Sequence, residues 1–313
     1  MEFTEGAAPH ARLIPVLSSF AERTGGTVGV AAVHAETGRR VLYNDARPFQ
    51  MASTYKVPIA LFVMALVDRG QLALDELVTV EPRDFVIGGT IGDRLRPGET
   101  ALSVRLLIER MLIESDNSAT DVLLRIAGGP AAATAHLRAL GLPTMRIDRP
   151  TGGIIADAYG TTFPDGAEER WEYFERTRLP EGLGVPAAAA QRFDDELLDI
   201  TTPAEMTALL ERLHRRDPAL VSKERADQLV SIMQRCSTGG ARLRALLPAG
   251  TVVADKTGTF GGTVNDAGII TLPQRGGHLV VSVFIRGATA ETAACERVIA
   301  EIARTLFDYF LFA

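Results

Sequence analysis

The sequence is short of several things. It has two cysteines, Cys236 and Cys295, so neither a disulfide framework nor a cysteine-rich metal site is expected. One bridge and two buried free thiols both remain open. No apolar run is long enough to span a bilayer; the longest, Val57 to Val67, falls well short. Met1 to His10 has no basic stretch followed by an apolar one, so no export signal is legible there. A cytoplasmic location follows if none was present, and a periplasmic or secreted one if a signal has been removed. The net charge of −6 lacks the concentrated basic face that sequence-independent nucleic-acid binding needs. Lysine is scarcest of all the charged types: Lys56, Lys223 and Lys256 stand against thirty arginines. A chain that carries its general positive charge on arginine keeps lysine where an amine able to lose its proton is useful.

What is present is ordinary for a globular chain of 313 residues, with 46% hydrophobic and 23% charged residues. The length suits one large domain or two intimate ones. Leu13, Val16, Leu17 and Phe20 mark an amphipathic helix over Ala11 to Arg23. Strand patterns follow at Thr27 to His34 and Arg40 to Tyr43, joined by the turn Glu36-Thr37-Gly38. Lys56 to Asp68 is apolar nearly all round, as a buried helix is. Helical patterns cover Val104 to Ile113, Ala119 to Ile126 and Ala131 to Leu140. Pro150 to Asp199 loses periodicity and reads as a long irregular excursion. Helices return at Pro203 to His214 and Ser222 to Met233, then strands at Thr251 to Ala254, Ala267 to Leu272 and His278 to Ile285, and a last helix from Glu291 to Phe310. Strands at the two chain ends pair naturally into one antiparallel sheet with a helical lobe inserted between them.

Three short motifs carry chemistry. Ser53-Thr54-Tyr55-Lys56 opens the buried helix and sets a hydroxyl and an amine on one face. A serine needs a nearby base to act as a nucleophile, and burial of a lysine favours its neutral form. Ser115-Asp116-Asn117 lies between two helices and on its own reads as a cap. Lys256-Thr257-Gly258-Thr259 sits at the end of a strand, where a lysine is usually solvated. Each is weak alone; together, in this order and in these elements, they are specific.

On these motifs the chain resembles the class A β-lactamase-like serine hydrolases, within the penicillin-binding and serine β-lactamase superfamily. Phe49 to Pro58, Ile126 to Pro130, Thr201 to Ala204, Thr238-Gly239 and Leu247 to Gly250 extend the match over nearly the whole length. The resemblance implies an α+β fold, with an antiparallel five-stranded sheet flanked by helices and an inserted all-helical lobe. Residues 1–52 and 201–313 would form the sheet lobe. Residues 53–200 would form the helical lobe, including an enlarged omega-type loop at about 149–199. It implies Ser53 as the acylated nucleophile, Lys56 as its proton acceptor and Ser115 as the donor to the leaving nitrogen. Asn117 would bind an acyl side-chain amide, and Lys256, Thr257 and Gly258 would line the substrate carboxylate. The backbone N–H groups of Ser53 and Thr259 would form the oxyanion hole. Arg242 falls where some members carry a carboxylate-binding arginine; a solvated surface arginine is the other reading. No cofactor or metal is expected. The partner is a small acyl substrate bearing a carboxylate, β-lactam or peptide-like, and a monomer is expected.

The chain also departs from the family. Its members carry a loop glutamate that activates the deacylating water. Arg146-Ile147-Asp148-Arg149 resembles the start of that loop, and Asp199 before Thr201-Thr202-Pro203 its end, with an Arg149–Asp199 ion pair at the neck. This register puts Thr151 where the glutamate belongs and Ile155 where the following asparagine belongs. A threonine is no general base near neutral pH. A second register, through Arg192-Phe193-Asp194-Asp195-Glu196-Leu197, offers Asp194 as the base and Leu198 in place of the asparagine. The first is preferred because its flanking helix matches better. The 49 residues between Arg149 and Asp199 exceed the family loop. They include Trp171, Tyr173 and Phe174, which either cover the pocket or pack the loop down. The expected activity is β-lactam amide hydrolysis through an acyl-enzyme, with slow or altered deacylation. An esterase or peptidase on another acyl substrate, and a penicillin-binding sensor that stays acylated, are the alternatives.

Overall fold

The computed structural model describes residues 12–95, 100–164, 166–177 and 185–312. Met1 to His10, read above for an export signal, lies outside the described residues, as does the side chain of Phe174.

The chain begins with α1 (Leu13–Glu22), β1 (Thr27–His34), β2 (Arg40–Tyr43) and β3 (Phe49–Gln50), followed by a 3-10 turn, Ala52–Tyr55, and α2 (Lys56–Asp68). Next come β4 (Leu77–Thr79), α3 (Thr90–Arg94), β5 (Ala101–Ser103), α4 (Val104–Ile113), α5 (Asn117–Ile126) and α6 (Gly129–Ala139). The long excursion carries α7 (Thr151–Tyr159), α8 (Ala167–Thr177) and α9 (Ala187–Asp195). The chain then returns through β6 (Ile200–Thr201), α10 (Pro203–His214) and α11 (Lys223–Gln234) to β7 (Val253–Phe260), β8 (Thr263–Thr271), β9 (His278–Arg286) and α12 (Thr292–Phe312).

The main sheet has five strands in the order β2-β1-β9-β8-β7, with every neighbouring pair antiparallel. The two chain ends meet where Thr27 to His34 pairs with Arg286 to Leu279. Both faces of the sheet are covered. On one, Val281, Val283 and Ile285 pack with Leu17 of α1 and with Val298, Ile302 and Leu306 of α12. On the other, Val280 and Phe284 join Met206 and Leu209 of α10 and a larger cluster that runs into the helices. The period-two alternation of β9 thus serves two separate cores. Helix α2 is buried from Lys56 to Ala65, which explains why its sequence is apolar all round. Each such fully buried aliphatic side chain contributes about 1.5–3 kcal/mol by leaving water.

Two expectations are corrected. The stretch from Pro150 to Asp199 is not irregular: it holds three helices. α8 and α9 are polar on the whole: six of the eleven residues of α8 are charged, and α9 opens on four alanines, good helix formers with no face to read. The first of the three late strands does not stop at Ala254 but runs to Phe260, so Lys256 to Thr259 lie inside it. Pairing with β8 from Val253–Ile270 to Phe260–Thr263 overrides the poor strand preference of Asp255 and Gly258. Within the helical stretch a short antiparallel ribbon joins β4 to β5. Cys236 and Cys295 are free, buried thiols.

The candidate active site

Ser53 sits on the 3-10 turn that leads straight into α2, and the turn is held from three sides. Ala52, just before it, has a left-handed φ of 43°, a strained backbone for a residue with a β-carbon. From the sheet, buried Asn265 donates through Nδ2 to the carbonyls of Gln50 (2.9 Å) and Met51 (3.1 Å), while its Oδ1 accepts from the Ile285 N–H at 3.1 Å. From the loop neck, the Met51 N–H donates to the Asp199 carbonyl at 2.9 Å, and β3 pairs with β6. Strand β7 presses closest of all. A β-carbon on Gly258 would stand 2.6 Å from the Met51 carbonyl oxygen and 3.0 Å from the backbone nitrogens of Ser53 and Thr54. Only glycine lets that strand run so near the serine.

At the first residue of α2, the fully buried Lys56 ammonium donates to the Ser115 carbonyl (2.6 Å), Ser115 Oγ (3.2 Å) and Asn117 Oδ1 (2.8 Å). Every one of these acceptors is neutral. Burial pushes the Lys56 amine well below its ordinary range, and the nearby charge of Lys256 pushes the same way; Asp116 and Asp121 oppose them. Lys256 approaches from β7, donating to Ser115 Oγ at 3.0 Å and to the Thr257 carbonyl at 2.8 Å. Burial brings it down to about 8, against the pull of Cys236, Asp255 and Asp266. Ser115 Oγ therefore bridges two lysines, from a backbone held at a left-handed φ of 62°. The third lysine, Lys223, is solvated and paired with Asp227 at 2.8 Å.

Asp116 caps α5, accepting from the Ala119 N–H at 2.8 Å and from the Ile91 N–H at 2.7 Å. Asn117 donates to the Ile87 carbonyl at 2.8 Å, tying the 85–89 segment to the site. The insertion braces that segment from behind. Trp171 packs on Phe85 with ring centroids 5.3 Å apart, Tyr173 packs on Phe163 at 5.4 Å, and Arg170 donates to the Phe85 carbonyl at 2.8 Å. Of the two roles open to these aromatics, packing the loop down fits the contacts of Trp171 and Tyr173. Thr257 Oγ1 lies 2.5 Å from Thr238 Oγ1, while Thr259 is exposed at the end of the strand.

The loop neck closes as the first register requires. Arg149 Nε donates to Asp199 Oδ2 at 2.9 Å, and Asp199 Oδ1 accepts from the backbone N–H groups of Asp148 and Arg149. Thr151 opens α7 and is buried, with its Oγ1 2.5 Å from the Tyr55 hydroxyl. Beneath it lies a carboxylate that the sequence reading passes over. Asp121 is buried on α5 and accepts from the N–H groups of Thr151 (2.6 Å) and Gly152 (2.8 Å) at the start of α7. Burial lifts it to about 7, although those two N–H bonds and Lys56 favour the charged form. The acids of the second register point elsewhere. Asp194 Oδ1 accepts from Thr263 Oγ1 at 2.9 Å, Asp195 accepts from Gln191 at 2.8 Å, and Glu196 pairs with Arg149 at 2.8 Å. Arg242 is buried, which rules out the solvated reading. Its guanidinium donates to the carbonyls of Gly258 (3.0 Å) and Asn265 (2.7 Å) and to Thr259 Oγ1 (2.5 Å), and pairs with Glu296 at 3.2 Å.

A five-stranded antiparallel sheet, a serine opening a buried helix, and two desolvated lysines meeting at a second serine define a serine hydrolase of the β-lactamase type. The chain belongs to the beta-lactamase enzyme family, whose sequence model matches residues 12–310. It is 29% identical over 295 residues to the extended-spectrum beta-lactamase PER-1 of Pseudomonas aeruginosa, covering 91% of this chain and 83% of that one. Beta-lactamase VEB-1 of the same organism is 27% identical over 292 residues, covering 91% and 85%. Among solved structures, an ancestral class A beta-lactamase (GNCA) superposes with a TM-score of 0.76 at 33% identity, covering 95% of this chain and 99% of that one.

Proposed function

We propose that the protein opens β-lactam amides by acylation of Ser53 and releases the acyl group slowly. The observation that carries the first half is the bridge at Ser115 Oγ, 3.2 Å from Lys56 and 3.0 Å from Lys256. Lys56, buried among neutral acceptors, spends part of its time as a free amine and takes the Ser53 proton. Ser115 relays a proton to the departing ring nitrogen. The Lys256 ammonium and Thr257 hold the substrate carboxylate, and Asn117 an acyl amide. The N–H groups of Ser53 and Thr259, brought close by Gly258, receive the oxyanion. Arg242 acts from beneath, bonding the Gly258 carbonyl and holding the strand in place.

The second half rests on the ground around Thr151. Its hydroxyl faces Tyr55, and both oxygens of Asp121 are engaged by backbone N–H groups. Neither group stands ready to draw a proton from water. Asp194 is bonded to Thr263 and acts as a latch between α9 and the β7–β8 turn. Loss of general-base catalysis costs roughly two to four orders of magnitude, enough for an acyl-enzyme to accumulate.

Intact-protein mass spectrometry after mixing with a penicillin tests this. The expected result is an adduct mapped to the Ser53 peptide, absent in Ser53→Ala and persisting while nitrocefin turnover stays low. Rapid penicillin turnover with no adduct refutes slow deacylation. In that case Asp194→Asn, expected to leave release unchanged, identifies Asp194 as the base if it traps the adduct.

A further inference from the structure

Three of the five histidines meet around one carboxylate at the end of the main sheet opposite Thr259. Glu36 stands in the β1–β2 turn, His214 is the last residue of α10, and His278 is the first of β9. Strand register separates this corner from the site: Thr259 pairs with Val264, whereas His278 pairs with Thr271, seven residues further along β8. At about 3.3 Å per residue the corner is roughly 23 Å away. We propose that Glu36, His214 and His278 form a binding site for a divalent transition-metal ion of the zinc class, joining the β1–β2 turn, α10 and β9.

One ligand atom from each residue lies within 4.8 Å of the other two. Glu36 Oε1 is 2.7 Å from His278 Nδ1 and 3.9 Å from His214 Nε2. Zinc bonds of about 2.0–2.1 Å in a tetrahedron place neighbouring ligand atoms ~3.3 Å apart, between those two separations. Two imidazoles and one carboxylate suit zinc and its neighbours rather than calcium or magnesium, which take oxygen donors. Three protein ligands leave a fourth position for water. The Nδ1 hydrogen that His278 shares with Glu36 would move to Nε2, leaving the Nδ1 lone pair for the ion.

The frame around the trio is prebuilt. Glu36 Oε2 accepts from the His278 backbone N–H at 2.8 Å, which fixes the carboxylate. His34, behind it, lies 2.7 Å from the Gly276 carbonyl through Nε2, while its Nδ1 accepts from the Thr37 N–H at 3.3 Å. That pattern puts its proton on Nε2 and makes it a supporting neighbour rather than a ligand. Gly277 has φ +88°, and a β-carbon there would fall 2.3 Å from Glu36 Oε2, so glycine clears the carboxylate's seat. The two cations after His214 are engaged elsewhere: Arg215 with Glu211 at 2.9 Å and the Ala35 carbonyl, Arg216 with Asp227 at 2.7 Å. A scarcity of cysteine argues only against a cysteine-rich site, whereas these ligands are two histidines and a carboxylate scattered over positions 36, 214 and 278, against the expectation of no metal.

The test uses the untagged full chain, stripped with a chelator and titrated with Zn²⁺ by calorimetry and thermal unfolding, with Co²⁺ absorption reporting coordination. The expected result is one Zn²⁺ per chain, a raised Tm and a tetrahedral Co²⁺ spectrum. His278→Ala, His214→Gln and Glu36→Gln should each weaken Zn²⁺ binding by at least ~10–100-fold. Acylation of Ser53 should be unchanged in each, which also shows that the variants fold. No stoichiometric Zn²⁺ binding, or binding of equal strength in the His214→Gln/His278→Ala double variant, overturns the proposal.

Discussion

The Tyr55 and Thr151 hydroxyls lie 2.5 Å apart in the interior, where Tyr55 is only 1% exposed. Burial and the nearby Asp121 push the phenol well above its ordinary range, so it stays protonated. Both residues are buried, and each hydroxyl serves as a hydrogen-bond partner of the other. Tyr55→Phe leaves Thr151 Oγ1 without this partner, a loss of about 1–3 kcal/mol. Urea unfolding should show that loss while the acylation rate stays within a few-fold of wild type. A variant as stable as the parent would remove the pair from the forces holding α7 to α2.

Asp121 gives the fold a pH dependence of definite sign. Its carboxyl titrates at about 7 when folded, against about 3.9 in an unfolded chain. Between those values the folded state holds the extra proton, so stability falls as pH rises from about 4 to 7 and is level beyond. The contribution is on the order of a few kcal/mol. Asp121→Asn removes the titration. The stability difference, variant minus wild type, should therefore rise with pH through that window and then flatten. A difference independent of pH would mean that Asp121 stays ionised throughout.

Much of this arrangement is legible in the sequence, and what is not has a physical reason. Lys56 to Asp68 declares itself because a helix buried on every side must be apolar on every side. Ser53, Ser115 and Lys256 are legible through motif order, and Arg149 with Asp199 through the loop's ends. Asp121 is not, since one acid four residues past Asn117 on an amphipathic helix reads as a solvated position until α7 is seen to cover it. Arg242 reads equally as a carboxylate-binding or a surface arginine because nothing local reveals that two strand carbonyls and Glu296 surround it. Asn265, Glu36, His214 and His278 act across the sheet or between distant turns, and such meetings follow from register rather than from neighbours in the chain.

Lys256 is expected to do two separable things, anchor a carboxylate and lower the pKa of Lys56. Lys256→Arg keeps the charge but replaces a compact ammonium with a planar fork. It should slow acylation by carboxylate-bearing β-lactams far more than by neutral esters. Lys256→Met removes the charge, so Lys56 should deprotonate at higher pH and the alkaline rise of the ester acylation rate should move upward. Rate–pH profiles for both variants with both substrates check this. Equal losses on the two substrates in Lys256→Arg would argue against the anchor, and an unmoved profile in Lys256→Met against the coupling.

Gly258 is the narrowest point of the site. Its missing side chain leaves room for the Met51 carbonyl and the backbone nitrogens of Ser53 and Thr54, from which an alanine methyl carbon would stand only 2.6–3.0 Å away. Backbone atoms cannot swing aside as a flexible side chain does, so β7 and the serine turn must separate by several tenths of an ångström or more. The displacement falls on the proposed oxyanion hole, whose two N–H groups come one from each side of this contact. Misplacement of about 1 Å costs roughly 10²-fold in rate. Gly258→Ala should therefore lower the Ser53 acylation rate by about that factor or more. The fold should survive, because the other seven residue pairs of β7 with β8 lie outside the contact. Stopped-flow acylation, read beside the circular dichroism and Tm of the same sample, separates the two effects. A variant that acylates at the parent rate would mean that the serine turn and β7 are free to move apart without loss.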